Sequence, residues 1–138
     1  TPVGTGSPGP ITPGAAYEVT ISAMPGDRLT LTTMMGQSND WFYGPNESGI
    51  ELFKDGKPIS GDISSQIVLW DAGTEVDQEP GIGPDQGPRQ KAPNTGKAEN
   101  GVVRKVDDGK AYSKTSSVIR ITIKPVASAS EAQVYNKQ

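Results

Sequence analysis

Apolar and polar residues alternate along several short runs of this chain, and glycine, proline and Asx residues separate the runs. In Tyr17-Glu18-Val19-Thr20-Ile21-Ser22-Ala23, Tyr17, Val19 and Ile21 share one face and Glu18, Thr20 and Ser22 the other, the period of a half-buried strand. Pro25-Gly26-Asp27 supplies turn chemistry and Leu29-Thr30-Leu31-Thr32-Thr33-Met34 alternates again, which predicts two strands joined by a short connection. Ile50-Glu51-Leu52-Phe53 predicts a short strand, and Asp-Gly at the centre of Lys54-Asp55-Gly56-Lys57 predicts a hairpin turn. Residues 59 to 65 read as irregular. Gln66-Ile67-Val68-Leu69-Trp70 is almost wholly apolar and predicts a strand buried on both faces. Val102-Val103-Arg104-Lys105-Val106 predicts another short strand, with a turn at Asp107-Asp108-Gly109. The clearest strand pattern covers residues 118 to 124, where Ile119, Ile121 and Ile123 oppose Val118, Arg120, Thr122 and Lys124, and Ala132-Gln133-Val134-Tyr135 predicts a last edge strand. About seven short strands with no competing helix and no fixed repeat predict an all-β fold, an antiparallel β-sandwich whose strand order the pattern leaves open.

The 138 residues fit one domain. Only 33% are apolar, whereas 17 glycines and 12 prolines make the chain loop-rich. Residues 1–14, with proline at 2, 8, 10 and 13, cannot form a helix or a central strand and predict an arm or edge segment ahead of a domain spanning 15–138. A start at Thr1 rather than Met predicts a processed form or a fragment. No apolar run is long enough for a spanning helix. With a net charge of −3 and no basic stripe, nucleic acid is not an expected partner.

Cysteine and histidine are both absent, which removes disulfides, thiolate nucleophiles, imidazole acid/base chemistry and the usual zinc ligands. Any metal must be held by oxygen. Residues 72 to 101 form the longest stretch without periodicity, and loops of that length are usually functional or disordered. Asp71, Glu75, Asp77 and Glu79 cluster at its start. Asp40 precedes the aromatic run Trp41-Phe42-Tyr43 and Asp71 follows Leu69-Trp70, so both are expected at strand ends, where carbonyls are also free. If those ends meet, Glu75 or Asp77 can complete a shell for calcium, which takes six to eight oxygens. The alternative is solvated turn residues, and an EF-hand loop is absent. The aromatics fit core packing better than sugar stacking. Without a nucleophile elbow, a phosphate-binding glycine loop or a His base, an enzyme is not expected; a glycosidase with two carboxylates is the form one would take.

Met34-Met35-Gly36-Gln37-Ser38-Asn39-Asp40-Trp41-Phe42-Tyr43-Gly44, Leu69-Trp70-Asp71-Ala72-Gly73-Thr74-Glu75 and Ala92-Pro93-Asn94-Thr95-Gly96, in that order, resemble the amino-terminal spondin domain of F-spondin and mindin. The bacterial members, with the same Asn-Asp and Asp-Ala-Gly-Thr-Glu signatures, are the more similar. The resemblance covers residues 14 to 124. It implies a C2-like β-sandwich, a secreted or cell-surface setting, and a calcium site at the loop end formed by Asp40, Asp71 and Glu75. Glu75 stands where animal members tend to have Asp. The cysteines of animal members are missing, so their disulfide and receptor surfaces are not carried over.

Two functions follow as expectations. The first is an extracellular calcium-binding adhesion module that takes a surface or matrix ligand. Bacterial members have a longer segment ahead of the position matching Tyr17, and a sandwich short of a strand has an open edge that recruits another. The second expectation is therefore a structural subunit that forms a homo-oligomer or filament by strand exchange, through the arm or the carboxyl-terminal strand.

Overall fold

The computed structural model describes residues 1–46, 48–106 and 115–126. The chain is all-β with antiparallel sheets and almost no helix, in a sandwich-like arrangement. The strands are β1 (Arg28–Leu29), β2 (Thr33–Met34), β3 (Trp41–Pro45), β4 (Ile50–Glu51), β5 (Phe53–Lys54), β6 (Lys57–Pro58), β7 (Gly61–Asp62), β8 (Ile67–Asp71), β9 (Arg104–Lys105) and β10 (Thr122–Ile123). A four-stranded sheet runs β2-β3-β8-β9, and the smaller pairs are β1-β4, β7-β10 and β5-β6.

The centre is the five-residue ladder of β3 and β8, with Trp41 opposite Asp71, Tyr43 opposite Leu69 and Pro45 opposite Ile67. Because directly opposed residues share a face, these six side chains form one side of the sheet. Trp41, Tyr43, Pro45, Ile67 and Asp71 are all buried there. Tyr43, Ile50, Ile63 and Ile67 make the core, with Leu29, Met35, Ile59, Leu69, Ile119, Ile121 and Ile123 packed around it. The pairs β1-β4 and β7-β10 thus cover the large sheet. On the opposite face Phe42 pairs with Trp70, and the Trp70 indole donates to the Pro45 carbonyl at 3.1 Å. The Lys105 ammonium lies 5.4 Å from the Trp70 ring.

The Asp55-Gly56 hairpin forms as expected between β5 and β6, with positive φ at both residues (51° and 72°), the mirror-image turn that matches strand twist. Residues 59–65, expected to be irregular, contain β7 and lead into a 3-10 turn at Ser64–Gln66. In residues 118–124 the alternation survives and the ladder does not. Ile119, Ile121 and Ile123 are half-buried against the core while Val118, Arg120, Thr122 and Lys124 are exposed. A single helical turn occupies Thr115–Val118, and only Thr122–Ile123 pairs as a strand. The Ile121 N–H is met instead by the Ser64 hydroxyl at 2.9 Å.

The expected strand over residues 17–23 is the clearest departure. It has no ladder partner among the described residues, and Tyr17, Val19 and Ile21 are 50%, 83% and 52% exposed. Alternation specifies an amphipathic ribbon but supplies no neighbour to bury it. The arm folds back locally: the Val3 N–H donates to the Ala16 carbonyl at 2.7 Å, the Tyr17 hydroxyl donates to the Gly9 carbonyl, and Pro2 is buried. The expected turn at 107–109 and strand at 132–135 lie outside the described residues.

Ile50 is fully buried at the centre of the core. Ile50→Ala is expected to cost about 2–5 kcal/mol, through lost burial and the cavity left behind, measured by urea unfolding.

Candidate metal centre

The register of β3 and β8 brings the two sequence-predicted aspartates to one end of the sheet. Asp71 ends β8, opposite Trp41, and Asp40 immediately precedes β3. Beyond β8 the chain continues outward beside residues 97–101, joined by the hydrogen bonds Val76 N–H to Lys97 O, Glu99 N–H to Thr74 O and Gly101 N–H to Gly73 O. Gly73 permits this approach: its φ is +69°, and a Cβ there would sit 2.7 Å from the Val102 backbone. The path carries Asp77 to the same end.

Carboxylate oxygens of Asp40, Asp71 and Asp77 lie within 4.8 Å of one another. Each carboxylate is oriented by protein donors. Asp71 Oδ1 accepts the Gly73 N–H at 2.6 Å. Asp40 Oδ2 accepts the Thr74 N–H at 2.7 Å, the Thr74 hydroxyl at 2.6 Å and the Glu75 N–H at 3.0 Å. Asp77 Oδ1 accepts the Trp41 indole N–H at 2.5 Å, so this aromatic packs in the core and aims a carboxylate as well. Asp40 Oδ1 is buried with no hydrogen-bond partner. A buried carboxylate oxygen without a donor is costly, and a cation would satisfy it. The spacing suits an ion with ligands at about 2.3–2.6 Å and an all-oxygen shell, as calcium prefers.

Glu75 sits beside this trio with its carboxylate turned elsewhere. It is 3% exposed, and its oxygens accept the Gln90 side-chain N–H and the Gly96 N–H. Its backbone N–H is the part that meets Asp40. The three sequence motifs therefore converge, with Glu75 tying the 92–96 turn to the strand ends.

Residues 78–90 are held by side-chain amides. The fully buried Gln86 accepts the Gly81 N–H at 2.9 Å and donates to the Glu79 carbonyl. Gln78 and Asp85 bond reciprocally, and the Gly81 and Gly87 N–H groups reach the carbonyls of Gln37 and Ser38. The long aperiodic stretch is thus an ordered loop whose polar groups are met by glutamines.

Arg104 is the residue that sequence reasoning missed. Its pairing opposite Asp71 places the guanidinium among the carboxylates, with Nη2 2.5 Å from Asp71, 2.8 Å from Glu99 and 3.4 Å from Asp77. Val102-Val103-Arg104-Lys105-Val106 signals a strand and carries no mark of this role. The hydrogen bond to Glu99 and its carboxylate neighbours raise the Arg104 pKa further, so it is always charged.

Burial drives the Asp71 pKa up to about 6, reinforced by Asp77 and Asp40 and opposed by the Gly73 N–H and Arg104. In metal-free protein the folded state then holds a proton that the unfolded chain, with a pKa near 3.9, has released. Stability is expected to fall as pH rises from about 4 to 6, by up to about 1.4 kcal/mol per pH unit, and to stay low above that window. Asp62, whose pKa is lowered by hydrogen bonds from Ser64, acts oppositely and only below about 4. Urea unfolding of chelator-treated protein should therefore show higher stability at pH 5 than at pH 7, and Asp71→Asn should flatten the difference. Equal stability in the wild type would contradict the assignment. Compared with protein-family models, curated proteins and solved structures, the chain matches none, so its function is read from these carboxylates themselves.

Proposed function

We propose that this chain is a calcium-binding β-sandwich module of the spondin type that acts outside the cell as an adhesion or binding unit, without enzymatic activity. The observation that carries this reading is the convergence of Asp40, Asp71 and Asp77, with the buried, unpartnered Asp40 Oδ1 beside them. The spondin reading is supported by the meeting of residues 39–44, 69–75 and 92–96 through Asp40 and Glu75. Asp40 and Asp71 are the principal ligands. Asp77 supplies the third carboxylate in the present arrangement, and Glu75 joins the shell if its carboxylate turns from Gln90 and Gly96. Calcium neutralises charge that the fold otherwise confines, so it stabilises the native state by mass action. The ligand is a surface or matrix component that the module meets through its loop end. Among the described residues no helix is long and apolar enough to cross a membrane.

Titrating calcium to about one hundred times its Kd should add about 2.7 kcal/mol and raise the melting temperature of chelator-treated protein by roughly 5–10 °C. Asp71→Ala should abolish the rise. An unchanged melting curve in the wild type would remove the calcium reading.

A second reading, assembly by strand addition, is favoured by residues 17–23. They form an alternating segment with one exposed apolar face, and among the described residues none of their backbone groups is hydrogen-bonded. The expected result is a species larger than monomer in sedimentation velocity that Val19→Lys, or removal of residues 1–14, returns to monomer. A monomer at every concentration would eliminate it.

A further inference from the structure

We propose that Arg104 is a tethered cation that fills the carboxylate cluster in the metal-free protein, and that a divalent ion binds by exchanging with its guanidinium. This inference rests on the calcium reading above and assigns the regulation of that site.

The three ion pairs of Arg104 converge on one nitrogen. Nη2 contacts Asp71 at the end of β8, Asp77 in the long loop and Glu99 near its close. A structural Arg–carboxylate pair usually engages one partner through two parallel N–H bonds. Here a single nitrogen is shared among carboxylates from three separated segments, the environment of a small cation. The oxygens it engages on Asp71 and Asp77 are the Oδ2 atoms, those not held by Gly73 and Trp41. An ion using the same oxygens competes with Nη2 for them. Metal coordination through these oxygens and the guanidinium contact are therefore in competition.

The exchange is structurally accessible. Arg104 lies on the two-residue edge strand β9 and its side chain is 41% exposed, so the guanidinium can turn into solvent while the backbone pairing with Asp71 remains. Charge then sets the selectivity. A monovalent ion replaces one positive charge with one positive charge and gains nothing over the tethered group. A divalent ion leaves the carboxylates better neutralised and also reaches Asp40, which lies outside the three ion pairs of Arg104. Competition from a group attached to the fold, whose local concentration cannot be diluted, lowers divalent affinity toward the range of extracellular modules, about 10⁻⁴–10⁻³ M. Loading the site releases a positive charge at the surface beside the ion, so the loop end changes its electrostatic character when calcium arrives.

The test is calorimetric titration of calcium, with magnesium and sodium as controls, into chelator-treated wild type and Arg104→Gln. Arg104→Gln should bind calcium about tenfold or more tightly while its metal-free form melts at lower temperature. Wild type that binds calcium alongside an Arg104→Gln variant of equal or weaker affinity overturns the exchange and leaves the site standing. Absence of binding to both proteins overturns the site and the exchange together. Should Arg104→Gln fail to fold, wild type is read directly by guanidinium nitrogen NMR, with the Arg104 signal identified by its loss in Arg104→Lys. That signal should broaden on calcium saturation as the guanidinium is freed, and a signal unchanged at saturation overturns the exchange.

Discussion

The burial of the Asp71 carboxylate at the end of the core face of β8 is the constraint on which the rest of the loop end depends. Alternation along β8 puts Asp71 on the same side as Ile67 and Leu69, and the register places it against Trp41. A carboxylate 1% exposed cannot be hydrated, so its charge must be met by donors, a counter-cation or a proton. The Gly73 N–H and the Arg104 guanidinium supply the first two, and burial favours the third by pushing the pKa up to about 6. Asp40 and Asp77 deepen the problem by bringing further negative charge to the same place. An arrangement that gathers carboxylates against Coulomb repulsion, and orients each with dedicated donors, is poorly explained by stability alone.

The strength of these ion pairs depends on position. Arg104 is partly solvated, so its pairs with Glu99 and Asp77 contribute modestly. Its pair with buried Asp71 is different, since removing the guanidinium would strand a desolvated charge. The same site is thus secured against loss of its cation yet open to its replacement. Gly73 and Gly101, which lie back to back along this path, allow the 73–76 and 97–101 segments to approach closely enough for this geometry.

The long loop between Asp71 and Arg104 links the fold to this chemistry. Gln78, Gln86 and Gln90 satisfy its backbone and side-chain polar groups, and Glu75 clamps its far turn. The loop is therefore built on its own hydrogen bonds, and an ion at Asp40, Asp71 and Asp77 would act on an end that is already shaped. In that respect the loop differs from a segment that folds only around its metal, where binding and ordering are a single event.

Local pattern was sufficient for the class of fold, the core face of residues 119–123, the Asp55-Gly56 turn and the β3 and β8 strands, because period-two alternation and turn chemistry act over a few residues. It was also sufficient to place Asp40 and Asp71 at strand ends, which follows from the aromatic runs beside them. The same alternation misled at residues 17–23, where an amphipathic ribbon exists without a described neighbour to cover it. Asp77 rather than the Glu75 carboxylate beside the two aspartates, and Arg104 among them, were decided by tertiary structure alone. Which carboxylate turns inward depends on competing partners such as Gln90, Gly96 and the Trp41 indole. Which cation meets them depends on the β8-β9 register, and both are contacts between residues far apart in the chain, which no local spacing encodes.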